Sequence, residues 1–260
     1  YNGDVDKQMK KVIEYFETKQ AAAEIYVGTD YKETSISSNV YKIIRNCQLQ
    51  GGLAIACGDA GIGKTQACRQ YYREHGTNCT YITVNPCIKS SKSVLELIGS
   101  KLNVSSGSVS RLWLEISSKL SDGMVIIVDE AQHLTRNAID TLRSLCDCFD
   151  EKGQTLGICF VGNETTVSRL GGKQKAEFAQ IRNRTKNTRF YSVKQIKKSD
   201  IEMLFPDIRE DAAAVEFLLR IAQSPQAIRG AVNLYSNALD NGNVTAKGLS
   251  AIAKYMDMAV

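Results

Sequence analysis

The sequence contains few prolines, histidines and tryptophans. Its 260 residues include three prolines, two histidines and one tryptophan, and no apolar run approaches the length of a membrane-spanning helix. Hydrophobic residues make up 43% of the chain and charged residues 23%. Because this composition supports a sizeable buried core, it excludes disordered, collagen-like and membrane-spanning proteins. The chain length predicts a globular protein with either one large domain or a large domain and a small appendage.

A disulfide framework and a structural metal site also lack support. The chain has eight cysteines, but no two form a CxxC pair, and the two histidines are too scattered for structural zinc. Cys57 and Cys159 have apolar neighbours, which is typical of small core residues in a reducing, cytoplasmic compartment. No secretory signal heads the chain, and since it begins with Tyr1 we expect it to be trimmed from a longer one.

Positive charge is concentrated in one segment. Residues 173–198 hold nine basic side chains and one acidic side chain, whereas the whole chain has a net charge of only +5. Residues 206–260 carry five basic and six acidic groups, so the excess does not extend into them. Such a local excess points to a polyanion, either a nucleotide or a nucleic acid, and its alternative is a solvated basic face.

Apolar spacing predicts an amphipathic helix over residues 7–20, a looser segment to about Ser38, and then strands alternating with helices. The predicted strands are 53–57, 80–84, 124–128, 155–161 and 188–193, and the predicted helices are one from Lys64 and those at 92–102, 109–120 and 137–149. This alternation indicates a parallel sheet that is covered on both faces.

After about Ser199 the strand signals stop, and apolar residues recur only at helical spacing. The chain is therefore divided into three parts. Residues 1–44 are an N-terminal helix and linker, residues 45–198 an α/β core, and residues 199–260 a small helical lid.

A complete GxxxxGK[ST] motif follows the first predicted strand and opens a predicted helix, which is the context that a P-loop requires. It comprises Gly58, Asp59, Ala60, Gly61, Ile62, Gly63, Lys64 and Thr65. The glycines allow backbone N–H groups to surround phosphate oxygens, Lys64 reaches the β- and γ-phosphates, and the Thr65 hydroxyl ligates Mg²⁺. A glycine-rich turn that binds nothing would leave the Lys-Thr pair unexplained.

Two carboxylates end the apolar strand at 124–128, as in a Walker B motif. Asp129 is expected to hold Mg²⁺, and Glu130 to accept the proton of the water that attacks the γ-phosphate. Asn163 follows the next core strand and can hydrogen-bond the attacking water, although an asparagine after a strand is more commonly a turn residue. The carboxyl ends of parallel strands are where open α/β sheets bind ligands.

In this order, these motifs resemble those of AAA+ ATPases over about residues 35–240. The implied fold class is α/β: an AAA+ P-loop NTPase with a parallel sheet, helices on both faces and a small C-terminal helical lid. The resemblance implies ATP and Mg²⁺ as cofactors and a sensor 1 role for Asn163. It implies a sensor 2 role for Arg229 in the lid, and an arginine finger at Arg182 or Arg184 that acts on a neighbouring subunit. Arg189 remains open as a further candidate for the finger. Surface or DNA contact remains the alternative for these arginines.

Within the superfamily, the segments 34–65 and 129–134 resemble transposition regulators of the phage Mu B type, with TnsC and IstB as cousins. That family implies ATP-dependent filaments or rings on double-stranded DNA, target selection for a transposase, its activation, and hydrolysis that dismantles the assembly. Mu B proteins carry an N-terminal DNA-binding domain. With about 50 residues ahead of the P-loop, we expect that domain to be absent or removed.

In such a family DNA contacts come from loops with little sequence preference. The candidates are Lys89, Lys92, Arg136, Lys173 and Lys175. A second function class also fits the motifs, namely a nucleotide switch that acts on protein partners in secretion or signalling, or an origin or clamp-loader ATPase. Neither class calls for a membrane.

Overall fold

A five-stranded parallel sheet forms the centre of the molecule, in a computed structural model that describes residues 5–24, 31–166 and 185–258. The strands are β1 (Gly52–Gly58), β2 (Cys79–Thr83), β3 (Met124–Asp129), β4 (Leu156–Gly162) and β5 (Thr185–Tyr191). Their order across the sheet is β2-β3-β4-β1-β5, and each neighbouring pair is parallel. The carboxyl ends of β3, β4 and β1 therefore meet at one edge of the sheet.

Helices cover both faces of this sheet, as the alternation of strands and helices predicts. They are α2 (Ser35–Gln50), α3 (Lys64–His75), α4 (Ser91–Lys101), α5 (Val109–Lys119) and α6 (Arg136–Asp150), and a further helix, α1 (Val5–Glu24), precedes them in the chain. One apolar core lies between the sheet and α2 and α3, and a second lies between the sheet and α4, α5 and α6.

The central strand β3 is buried on both faces of the sheet, which explains why its sequence is uninterruptedly apolar. All six of its residues are buried. Val125 and Ile127 contribute to the first core, while Ile126 and Val128 contribute to the second. Since successive side chains of a strand point to opposite faces, a strand with apolar cores on both sides shows no alternation with polar residues.

Helix α2 corrects the expectation of a loose segment up to about Ser38. The helix begins at Ser35, where the Thr34 side chain accepts a hydrogen bond from the Ser37 N–H, a typical N-cap. Its apolar residues Ile36, Val40 and Ile44 are buried against the sheet. The domain boundary predicted between residues 44 and 45 therefore falls inside a helix that belongs to the core.

The edge strand β5 begins at Thr185, three residues before the predicted start. Its first half consists of polar residues, which the apolar pattern does not reveal as a strand. These residues nevertheless pair with β1, from Leu53 opposite Thr185 to Gly58 opposite Tyr191. Polar and charged side chains are common on edge strands, where they discourage pairing with other chains.

The C-terminal residues form the helical lid that the periodicity predicts, and their first helix begins at Lys198, next to the predicted boundary. The helices are α7 (Lys198–Leu204), α8 (Ala212–Ala222), α9 (Ala227–Asp240) and α10 (Ala246–Tyr255). Their buried side chains share one cluster with α2 and α3. The lid therefore shares the first apolar core with α2 and α3.

The N-terminal helix α1 is present where the spacing predicts it, but its apolar side chains Met9, Val12, Ile13 and Phe16 are at least 50% exposed. None of the described helices is long and apolar enough to cross a membrane.

Most cysteines behave as core residues. Cys57 and Cys159 are fully buried, and burial raises the pKa of Cys57 to about 11. Burial also raises the pKa of Cys47 and of Cys79 to about 12, so these thiols stay protonated. Cys87, in contrast, is exposed.

Candidate active site

A glycine-rich loop joins β1 to α3 at the carboxyl edge of the sheet. A Cβ atom at Gly58 would stand 2.0 Å from the Tyr191 carbonyl oxygen, so any side chain there would push β1 and β5 apart. Gly63 precedes α3 with a φ of 98°, in the left-handed region that favours glycine. The backbone of the loop therefore continues into the N-terminus of α3. The N–H groups and the helix dipole there favour the binding of an anion.

The Lys64 ammonium lies inside this loop. It donates hydrogen bonds to the carbonyl oxygens of Gly58, at 2.9 Å, and Asp59, at 2.6 Å. Burial lowers the pKa of Lys64, while the nearby charges of Asp129 and Glu130 act in the opposite direction. A desolvated cation between the loop and two carboxylates is well placed to bind a phosphate group.

Asp129 and Thr65 are in direct contact. The Asp129 carboxylate is 2% exposed and accepts hydrogen bonds from the Thr65 side chain and, at 3.0 Å, from the Tyr81 hydroxyl. Burial raises the pKa of Asp129, and these hydrogen bonds lower it. Adjacent carboxylate and hydroxyl oxygens are ligands that Mg²⁺ prefers, so the two residues fit the metal role expected of them.

Glu130 directly follows β3 in an unusual backbone conformation. Its φ of 57° is left-handed, which costs a non-glycine residue about 1–2 kcal/mol. Its N–H donates to the Asp129 carboxylate at 3.0 Å, and its own carboxylate accepts a hydrogen bond from the Gln132 amide. Strained residues of this kind concentrate at functional sites, because the strain aims a side chain that regular backbone would point elsewhere.

Gln132 links this carboxylate to the end of β4. Its Oε1 atom accepts a hydrogen bond from the Asn163 N–H at 3.3 Å, which orients the amide so that Nε2 faces Glu130. A Cβ atom at Gly162 would lie 2.5 Å from the same Oε1, so the glycine makes room for the amide. The Asn163 Oδ1 atom is engaged by Thr165, as in a turn, which leaves its amide N–H groups to donate.

The lid contacts the loop through the start of α9. The Arg229 N–H donates to the Gly61 carbonyl oxygen at 3.2 Å. A Cβ atom at Gly61 would lie 3.2 Å from the Cβ atoms of both Ala227 and Arg229. The Arg229 side chain is exposed beside the P-loop. Any displacement of the lid must therefore change the surroundings of the P-loop.

Asp59 does not point into the loop. Its N–H donates to the Tyr191 carbonyl oxygen at 3.0 Å, and its carboxylate accepts the Val193 N–H at 2.8 Å. Both groups are thus occupied by the end of β5, and Asp59 anchors the P-loop instead of offering a free N–H to phosphate. Ala60 and Ile62 complete the loop, where the Ile62 side chain is buried in the first core.

Residues 47–170 match the AAA domain family. The chain is 28% identical over 256 residues to the ATP-dependent target DNA activator B of Escherichia phage Mu, a match that covers 95% of this chain and 77% of that protein. It is also 28% identical to the Mu-like prophage FluMu DNA transposition protein B of Haemophilus influenzae, over 91% of this chain and 82% of that protein. The chain is an ATPase that is similar to the AAA domain family over residues 47–170. The resemblance to regulators of the Mu B type is confirmed as well.

The fold of this ATPase is also similar to a solved structure of the Aeropyrum pernix ORC2 protein, in ADPNP and ADP complexes. That match has a TM-score of 0.63 at 13% identity and covers 88% of this chain and 71% of the other. It confirms the expected AAA+ P-loop fold.

Three residues predicted to contact DNA lie close together in the ATPase. The Thr135 N–H donates to the Lys89 carbonyl oxygen at 3.0 Å, which places the loop before α4 beside Arg136 at the start of α6. Lys89 and Lys92 are exposed, and Lys92 and Arg136 each form a long ion pair, 3.9 Å to Glu96 and to Asp140 respectively. Exposed pairs of this length are weak, so phosphate oxygens could displace the acids. Lys173, Lys175, Arg182 and Arg184 lie outside the described residues.

Two side chains at the site were not predicted from the sequence. Tyr81 reaches Asp129 because β2 pairs with β3 so that Thr83 lies opposite Asp129. Gln132 reaches Glu130 because the chain turns sharply after β3, in a single 3₁₀ turn over Ala131–His133. A polar residue two positions from a Walker B glutamate is a signal that could have identified Gln132.

We predict that Gln132→Met lowers the rate constant of ATP hydrolysis, kcat, about ten- to a hundredfold. The substitution removes one hydrogen bond to a carboxylate, which is worth about 1.5–3 kcal/mol, and leaves Glu130 free to turn away. The KM for ATP should change by less than threefold, since the hydrogen bonds of the Gln132 side chain join it to Glu130 and Asn163, which lie outside the P-loop. Steady-state ATPase assays check this, with the exposed Gln154→Met as the control. A kcat equal to that of the control would contradict a positioning role.

Proposed function

We propose that this ATPase binds duplex DNA in an ATP-dependent, largely sequence-independent manner, oligomerises on it, and presents it as a target to a transposase that it activates. The supporting observation is the match over 95% of the chain to a protein named ATP-dependent target DNA activator B. The site geometry is consistent with this role, because the Gly61–Arg229 contact couples the nucleotide loop to the lid.

In the proposed reaction, Lys64 and the loop N–H groups hold the triphosphate. Thr65 and Asp129 would hold Mg²⁺, which neutralises charge on the β- and γ-phosphates when bound. Glu130, oriented by Gln132, accepts a proton from the attacking water, and the Asn163 amide donates a hydrogen bond that positions this water. The oxygen of the water bonds to the γ-phosphorus as the bond to the ADP oxygen breaks, and ADP and phosphate are released.

We also propose that a neighbouring subunit completes this site. The residues Arg182 and Arg184 precede β5 and are the candidates for an arginine finger, while Arg229 of the same chain would contact the phosphates from the lid. A finger supplied in trans makes hydrolysis depend on assembly. ATP would then favour the assembled state on DNA, and ATP hydrolysis would cause the assembly to dissociate.

DNA contact is assigned to the loop before α4 and to the start of α6. Lys89, Lys92 and Arg136 are exposed or lightly paired there, and Lys173 and Lys175 are further candidates. Contacts of lysine and arginine with backbone phosphates carry no sequence code. Binding should therefore be insensitive to base sequence and should weaken steeply with salt.

We expect ATP to strengthen binding to a random-sequence duplex at least tenfold over ADP, and the duplex to accelerate ATP hydrolysis severalfold. The physical reason is that assembly places several basic surfaces on one DNA molecule, which multiplies weak contacts. Fluorescence anisotropy with labelled duplex measures the affinity, and negative-stain microscopy of the same samples tests for filaments or rings.

Equal DNA affinity in ATP and ADP, together with turnover indifferent to DNA, would contradict the proposal. That result would instead favour a nucleotide switch that acts on protein partners. Adding the purified transposase of the same element would then test the last step, since strand transfer should rise only with ATP present.

A further inference from the structure

A basic recess lies between α2 and the edge strand β5, well away from Lys89 and Lys92 along the chain. It encloses a cavity of about 480 Å³. Both polar and apolar side chains line it, Ser35 and Gln195 among them. We define the basic recess by six of its polar side chains, which come from α2, from β5 and from the turn before α7. They are Asn39, Lys42, Asn46, Asn187, Arg189 and Lys197.

No acid of the described residues pairs with the positive charges of the basic recess. Among the described residues that line it none is acidic, and within this part of the chain Lys42, Arg189 and Lys197 form no ion pair. This contrasts with Lys92 and Arg136, which do have acidic partners. Three cations held around one concave surface repel each other unless an anion is bound, and a concave surface focuses their field on that anion.

One buried carboxylate is hydrogen-bonded to Ser35 and Lys197, two residues that line the basic recess. Asp200 lies at the start of α7, where its carboxylate accepts hydrogen bonds from the Ser35 N–H at 2.6 Å, the Ser35 hydroxyl at 2.7 Å and the Lys197 N–H at 2.8 Å. The side chain is 3% exposed. Asp200 therefore fastens the lid to α2, and in the described part of the chain its carboxylate forms no ion pair with a side chain of the basic recess.

The donors form a row. Asn39, Lys42 and Asn46 are spaced three and four residues apart on one face of α2, so they span about 10 Å of the helix. Asn187 and Arg189 lie on β5 at positions i and i+2, which share one face of the strand. Donors repeated along a helix and along a strand suit a linear polyanion with repeated negative groups better than a single carboxylate.

We propose that the basic recess binds the sugar-phosphate backbone of duplex DNA, as a contact surface additional to the loops before α4 and α6. This inference rests on the proposed function. Lys42, Arg189 and Lys197 supply the charge, and the asparagine amides donate hydrogen bonds to phosphate oxygens. The surface also accounts for part of the basic segment at 173–198, to which Arg189 and Lys197 belong.

The test compares two double variants that each remove two positive charges. Lys42→Gln/Lys197→Gln changes the basic recess, and Lys247→Gln/Lys254→Gln changes two exposed lysines of α10. The affinity of each for a labelled random-sequence duplex is measured with ATP over a range of salt concentrations. The slope of log K against log salt is negative, and each lost phosphate contact reduces its magnitude by about 0.9. We therefore expect the recess variant to show a slope shallower by about two. We also expect it to bind DNA at least tenfold more weakly.

Nucleotide affinity and DNA-free hydrolysis should be the same in both variants, because neither changes a residue of the P-loop or its partners. If the recess variant has the salt slope of the control while wild-type protein binds DNA, the inference is wrong and the proposed function stands. If wild-type protein shows no ATP-dependent DNA binding, the proposed function fails first. Loss of ATP-dependent self-association in the absence of DNA would overturn the inference differently, by identifying the basic recess as an interface between copies.

Discussion

Lys64→Ala should abolish nucleotide binding, with an affinity for ATP reduced by at least a hundredfold. The ammonium lies inside the loop, within hydrogen-bond distance of the Gly58 and Asp59 carbonyl oxygens, where it would contact phosphate oxygens. Charge-assisted hydrogen bonds of this kind are worth about 1.5–3 kcal/mol each, and two of them account for a loss of this size. Titration with a fluorescent ATP analogue measures the effect.

The control for this prediction is Lys247→Ala, which removes an exposed lysine of α10. The Lys64 ammonium also stabilises the loop through its hydrogen bonds to the Gly58 and Asp59 carbonyl oxygens. The thermal unfolding of both variants should therefore be compared. Lys64→Met provides a second variant that keeps most of the apolar stem. If both Lys64 variants fold and bind ATP within threefold of the control, the assignment of the loop as the phosphate site is wrong.

The core strands and helices were predictable because their signals are local. In β3 the run of four apolar β-branched residues and its two terminal acids identify a buried strand that ends at a ligand site. The lid helices were predictable because apolar residues recur every three or four positions. Two boundaries were predicted less well. The first half of β5 has an edge strand's polar sequence, and α2 starts with serines that resemble a loop unless the N-cap at Thr34 is recognised.

The candidate site was predictable where a motif lies within one segment of chain. Lys64, Thr65, Asp129 and Glu130 belong to two such segments, and the structure brings them together at the carboxyl ends of β1 and β3. The contacts of Tyr81 and Gln132 were not predictable, because they depend on the register between β2 and β3 and on a tight turn. The anchoring role of Asp59 depends on β5, which is distant in sequence.

Asn163 illustrates how two interpretations of one residue can both hold. Its Oδ1 atom is engaged in a turn by Thr165, as an asparagine after a strand usually is. Its backbone N–H donates a hydrogen bond to the side-chain amide of Gln132, which in turn donates one to the Glu130 carboxylate. The sensor role of Asn163 therefore stays a prediction, and the structure adds that any movement of its backbone reaches the base through Gln132.

Glu130→Gln should leave ATP binding within threefold of wild type and reduce hydrolysis by about a hundredfold or more. General bases contribute about 10²–10⁴ to a rate, and glutamine cannot accept the proton of the attacking water. The substitution preserves the shape of the side chain, and its carbonyl oxygen can still accept the hydrogen bond from Gln132. The change is therefore confined to the chemical step, which single-turnover hydrolysis measures directly.

The same variant separates hydrolysis from assembly. If hydrolysis dismantles the proposed DNA complex, Glu130→Gln should bind duplex DNA in ATP and dissociate from it at least tenfold more slowly than wild type, because the ATP state persists. The exposed Glu216→Gln on α8 is the matched control and should behave as wild type in both assays. Wild-type turnover in Glu130→Gln would show that another group accepts the proton. Slow turnover with wild-type dissociation would show instead that Glu130 is the base but that release of DNA does not depend on hydrolysis.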